Sequence, residues 1–196
     1  MMDREEKKKN NSSLSNTIGD WIMSIVIAGC LAFSIRTFLV ELYVVEGKSM
    51  YPSLEHHERL VVDKLSSFFH LPERGQIIIF RFPMDETRDF IKRVMAVEGD
   101  TVEMVDGKVY VNGKRLKEEY IWTTDPAGQN RSNYPKSIVP KNCVFVLGDN
   151  RNNSEDSRYD DVGFVPNSLI KGRALCVFWP LTECRSLPAI SSYKHD

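Results

Sequence analysis

The stretch DFIKRVMAVEGDTVEMVDGKVYVNG, residues 89–113, decides the fold. Strand alternation in its first part places Phe90, Lys92, Val94 and Ala96 on one face and Ile91, Arg93, Met95 and Val97 on the other. Both faces are largely apolar, the pattern of a strand covered on both sides. Two shorter runs follow, Thr101–Val105 and Lys108–Val111, with Asp106-Gly107 between them and Asn112-Gly113 behind them. Asp-Gly and Asn-Gly suit the two-residue turns of β-hairpins, whose central residues need positive φ. The stretch therefore reads as successive antiparallel strands.

Working outward, similar runs occur at Leu42–Glu46, Arg59–Lys64, Gln76–Arg81, Cys143–Leu147 and Ala174–Trp179, separated by turn residues. No apolar period of 3.6 residues appears beyond residue 40. The predicted fold is mainly β, an antiparallel barrel or sandwich over residues 41–196, with a small inserted hairpin and loop subdomain at 101–140. Residues 120–140 are polar, hold Pro126, Pro135 and Pro140, and read as a long loop. Residues 65–75 read as another loop; its Phe68 and Phe69 either join the core or dip into a membrane interface.

The N-terminal part differs. Residues 1–17 are polar, carry Lys7, Lys8 and Lys9, and have too little apolar content to bury. Residues 21–35 then lack any charge. A crossing needs about 20 apolar residues. Arg36 can snorkel to the interface and let Thr37 to Val40 extend the run. The segment 18–40 is thus predicted as one transmembrane helix; a buried helix and a cleaved leader are the other readings. The lysine cluster puts residues 1–17 in the cytoplasm and 41–196 outside.

Formal net charge is −1, so no general basic field argues for nucleic acid. Cys30, Cys143, Cys176 and Cys184 form no ligand spacing for zinc. A Cys176–Cys184 bridge is one option; mostly unpaired core thiols is the reading the count favours.

Three segments carry candidate chemistry. The first is GKSMYPSL, residues 47–54, which sets Ser49 thirteen residues beyond Arg36. It is not a phosphate-binding loop: Leu42 stands where that motif needs glycine, and Pro52 stops the helix it needs. Alone it reads equally as a plain turn. A serine needs an adjacent base to act as a nucleophile, and His56, His57, His70 and His195 all lie in polar turns or at the terminus. The second is Lys92. A lysine on an apolar strand face loses hydration and its pKa falls, so it can accept a serine proton; a lysine snorkelling at a sheet edge is the alternative. Arg93 cannot serve, because guanidinium keeps its proton. The third is GDNRNNSEDSR, residues 148–158, a polar run directly behind an apolar strand. Asp149 and Asn150 suit a tight turn, and Asp156 and Arg158 can form a carboxylate–guanidinium fork. It lacks the alternating ligands of a calcium loop, and a solvated surface loop is the plain reading.

Together the blocks GKSMYPSL (47–54), ERLVVDK (58–64), IKRVMAVEGD (91–100) and GDNRNNSEDSR (148–158) resemble, in order, those of the type I signal peptidases, membrane-bound Ser/Lys proteases, in their small single-anchor Gram-positive form. The resemblance implies Ser49 as nucleophile and Lys92 as general base. It implies that Ser154 hydrogen-bonds and orients the lysine amine, and that Asp156 and Arg158 form a supporting ion pair. Met50 and Pro52 would shape the nucleophile turn, and the Ser49 N–H would serve the oxyanion hole. Some members carry a serine hydroxyl at the position of Gly47, so a second donor must come from elsewhere here. Ser53 replaces a common threonine and keeps the hydroxyl. The implied substrates are secreted preproteins with small residues at −1 and −3, cut at a membrane lipid surface without metal or cofactor. Two other readings share parts of the pattern: a self-cleaving Ser/Lys protease of the SOS-repressor kind, and a tethered β-domain that only binds.

Overall fold

The structure, a computed structural model, describes residues 21–31, 39–65, 69–122 and 133–190. The chain divides into two units after Leu39. In the first, residues 21–31 are helical and exposed. Among the described residues no helix is long and apolar enough to cross a membrane. The expected tail, residues 18–20 and 32–38 of the expected span, Phe68 and His195 lie outside the described residues.

Among its described residues the second unit has twelve strands: β1 (Val40–Val44), β2 (Arg59–Asp63), β3 (Ile77–Phe82), β4 (Asp85–Val97), β5 (Thr101–Val105), β6 (Lys108–Val111), β7 (Lys114–Arg115), β8 (Tyr134–Ile138), β9 (Cys143–Leu147), β10 (Val165–Pro166), β11 (Ile170–Trp179) and β12 (Arg185–Ser186). The larger sheet runs β1-β2-β11-β3-β4-β9-β10, with β12 beside β11, and the smaller runs β7-β6-β5-β8. These strands all pair antiparallel, and an isolated bridge between Trp122 and Asn150 is parallel. The path from β1 to β10 has two ends, so among the described residues the larger sheet is open rather than closed into a barrel.

Apolar alternation builds the cores. In β3, Ile77 and Ile79 enter a core with Met50, Leu54, Leu60, Val62, Ala174 and Val177. Ile78, Phe80 and Phe82 enter another with Val94, Val144, Val146 and Val165. A third core joins the sheets through Met95, Ala96, Val102, Met104, Val109, Val111, Phe145 and Leu147. Both hairpin signals hold: Asp106 and Gly107 take φ of 49° and 73°, and Asn112 and Gly113 take 52° and 75°.

Three expectations change. Val94 and Ala96 do not share a face: a register shift against β9 falls between them, and Ala96 turns into the core between the sheets. Such a bulge adds a residue to one strand and breaks the period-two pattern. Second, part of the expected loop is strand, since Tyr134–Ile138 pairs with β5. YPKSI lacks alternation, and β8 is an edge strand, where Pro135 costs no ladder bond. Third, Phe69 is 74% exposed and so does not join the core. None of the four cysteines is in a disulfide.

Candidate active site

Ser49 lies in a turn behind β1 whose apolar residues anchor it. Met50 and Leu54 are buried, and the Leu54 N–H donates to the Met50 carbonyl at 2.9 Å. Gly47 takes a φ of 92°, a left-handed conformation in which a side chain would be strained. Its N–H donates to His56 Nδ1 at 3.1 Å.

Lys92 comes from the middle of β4. Its residue is only 4% exposed, and its Nζ lies 3.0 Å from Ser49 Oγ and 3.1 Å from the Ile91 carbonyl oxygen. The Phe90 ring sits 4.9 Å below the nitrogen. Burial lowers the lysine pKa from 10.5 to about 8, with Arg158 acting in the same sense and Asp156, Glu155 and Asp149 opposing it. An amine near 8 supplies free base at ordinary pH, about one part in ten at pH 7. The two groups border a cleft of about 640 Å³, lined also by Tyr43, Val44, Val45, Phe90, Asn153 and Glu155.

The polar run 148–158 supports this turn from behind. The Asn150 N–H donates to the Ser49 carbonyl at 3.0 Å, and its Nδ2 donates to the Lys48 carbonyl at 3.0 Å. Asp156 and Arg158 form the expected fork, with Arg158 Nε 2.7 Å from Oδ1 and Nη2 2.9 Å from Oδ2, both groups buried. Asp156 Oδ2 also accepts the Gly148 N–H at 3.0 Å, and Arg158 Nη2 donates to the Arg151 carbonyl at 3.1 Å. The fork therefore acts on the loop backbone, which in turn holds the backbone of Ser49.

Ser154 differs from expectation. Its Oγ is buried and makes no hydrogen bond; the amine of Lys92 bonds the Ile91 carbonyl instead. Ser154 packs on Gly148, where an added Cβ would lie 2.1 Å from its Oγ and 2.5 Å from the Ser49 carbonyl oxygen. Pro52 is exposed, between buried Met50 and Leu54. Of the histidines, His56 and His57 stack on each other at 3.7 Å and His70 is exposed.

Sequence reasoning missed the partner of Arg93. Its Nε lies 2.9 Å from Asp149 Oδ1 and its Nη2 2.6 Å from Oδ2. It also donates to the Gly75 carbonyl at 2.8 Å and to Ser53 Oγ at 3.2 Å. An arginine on an apolar strand signals a buried partner, because burying it alone is prohibitive, but the sequence does not say which carboxylate. Arg151 likewise pairs with Glu118, and Arg185 holds Glu58 at 2.7 and 2.8 Å and the Ser53 carbonyl at 2.7 Å.

The family model described as "Signal peptidase, peptidase S26" matches residues 18–179. "Probable signal peptidase I-2" of Synechocystis sp. is 42% identical, over 91% of this chain and 81% of that one. "Signal peptidase I P" of Bacillus subtilis subsp. natto is 38% identical, over 94% of this chain and 98% of that one. A solved signal peptidase I from Enterococcus faecalis V583 is 32% identical with a TM-score of 0.45, covering 53% of this chain and 97% of that one. By the family match and the near full-length likeness of these relatives, the chain is a peptidase and belongs to the signal peptidase family, peptidase S26.

Proposed function

We propose that the chain is a membrane-tethered endopeptidase that removes signal peptides from secreted preproteins through a Ser49–Lys92 dyad. The observation that carries this reading is the 3.0 Å contact between Lys92 Nζ and Ser49 Oγ at a buried site. The neutral amine accepts the Ser49 proton as Oγ attacks the scissile carbonyl. The Ser49 N–H receives the oxyanion charge. The ammonium of Lys92 then gives its proton to the leaving amine, and an acyl-enzyme remains. Lys92 next takes a proton from water, the hydroxide attacks the ester, and Ser49 recovers its proton as the signal peptide leaves. Asp156 holds the Gly148 N–H and Arg158 the Arg151 carbonyl, and Asn150 between them holds the Ser49 carbonyl; Met50 and Pro52 shape the turn.

In this reading the substrate lies extended along the strand edges of the cleft, with small residues at −1 and −3. Residues 18–40 form the anchor, residues 1–17 lie in the cytoplasm, and the β-unit acts at the outer membrane face, with 101–140 as its inserted subdomain. The exposed apolar helix at 21–31 and the lysines before it support that orientation. The test is precursor processing in detergent by full-length Ser49→Ala and Lys92→Ala variants. Both are expected to fall to background; a near wild-type rate in either removes that residue from the dyad.

A further inference from the structure

A second pocket lies on the far side of the nucleophile turn. It encloses about 490 Å³ and shares Lys48 with the cleft that holds Lys92. Its apolar lining is Leu54, which is fully buried, and the rings of Tyr51 and Trp122, which meet edge to face at 5.1 Å. Glu55, His56 and Asn150 complete it. Trp122 is 43% exposed here, a large apolar ring left to water beside a polar loop.

The position of that ring is fixed relative to Ser49. The Trp122 N–H donates to the Asp149 carbonyl at 2.8 Å, and its carbonyl accepts the Arg151 N–H at 3.1 Å. Asn150, between those two partners, holds the Ser49 and Lys48 carbonyls at 3.0 Å each. One three-residue support, Asp149 to Arg151, therefore sets both the nucleophile turn and the tryptophan wall.

A peptide crossing Ser49 leaves it in two directions. With the part before the scissile bond in the cleft beside Lys92, as the proposed function places it, the part after it passes over Lys48 and Asn150. We propose that the Tyr51–Leu54–Trp122 pocket receives an apolar side chain from the mature part of the preprotein, within the first three residues after the cut. Only one of two successive side chains faces it, because an extended peptide alternates. The mature N-terminus then contributes to substrate choice alongside positions −1 and −3. This rests on Ser49 being the nucleophile.

The test scans one precursor with Gly or Leu at +1, +2 and +3 in turn, using full-length enzyme in detergent. Leu is expected to raise kcat/KM about tenfold at one position, the scale on which an apolar pocket discriminates, and the Leu-to-Gly ratio should fall toward one in Trp122→Ala and recover in Trp122→Phe. Equal rates for Leu and Gly at all three positions in the wild type, which needs no variant to fold, overturn the proposal. So does a Leu preference that Trp122→Ala leaves intact. Activity retained by Ser49→Ala would instead overturn the underlying dyad while leaving the selectivity scan readable.

Discussion

Arg93 and Asp149, 56 residues apart, grip each other through two hydrogen bonds of 2.9 and 2.6 Å, with side chains 4% and 1% exposed. The pair ties β4, which carries Lys92, to the loop that supports Ser49. Removing one partner of a buried pair strands the other charge, at about 3–5 kcal/mol. Asp149→Ala should lose that much in chemical denaturation. Arg93→Met with Asp149→Leu should lose clearly less, since no bare charge remains. Equal losses would show that the pair does not matter as a pair.

Ser53 is a smaller case. Its hydroxyl accepts from Arg93 Nη2 at 3.2 Å, so Ser53→Ala removes one bond to a charged donor, worth about 1.5–3 kcal/mol. Ser53→Thr retains the hydroxyl and should be close to neutral in the same denaturation experiment. A neutral alanine variant would show that water replaces the contact.

Gly148 gives a steric prediction. A Cβ there meets Ser154 Oγ at 2.1 Å and the Ser49 carbonyl oxygen at 2.5 Å. Gly148→Ala should therefore displace Ser49 and, with Ser49 as the proposed nucleophile, lower kcat on the order of 10²-fold. Adding Ser154→Gly clears only the first clash, so it should not restore the rate. Full recovery in the double variant would place the whole effect on Ser154.

Lys92 predicts a pH-dependent stability. Its pKa is about 8 when folded and 10.5 ordinarily, so between those values the unfolded chain binds more protons than the folded one. Stability thus rises with pH across that window, and below pH 8 the full cost of about 3 kcal/mol is present. Lys92→Met should exceed the wild type in stability most at pH 7, and the difference should shrink by about that amount toward pH 10.5. A difference constant with pH would contradict a desolvated lysine.

How legible the fold and site were depended on sequence distance. Alternation in Ile77–Phe82 and the turns at Asp106-Gly107 and Asn112-Gly113 are local signals, and the strands they mark are present. Asp156 and Arg158 stand two residues apart, so their fork was readable. Arg93 with Asp149, Arg151 with Glu118 and Arg185 with Glu58 join residues 56, 33 and 127 positions apart; a charge advertises its need for a partner but not the partner's place. The strand at Tyr134–Ile138 is polar and half exposed, and only its pairing with β5 makes it a strand. The displacement of Ala96 from the Val94 face follows from a bulge set by β9, which the sequence of β4 alone does not encode. Ser154, expected at the lysine amine, instead fills the space left by Gly148.

Whether Lys92 is the base for Ser49 is read from the pH dependence of kcat/KM, because that ratio follows the free enzyme. With Lys92 as base, the profile rises with slope one and levels off at about pH 8, the value burial gives Lys92. A profile flat from pH 6 to 9, or one levelling near the ordinary histidine value of about 6.5, would contradict it.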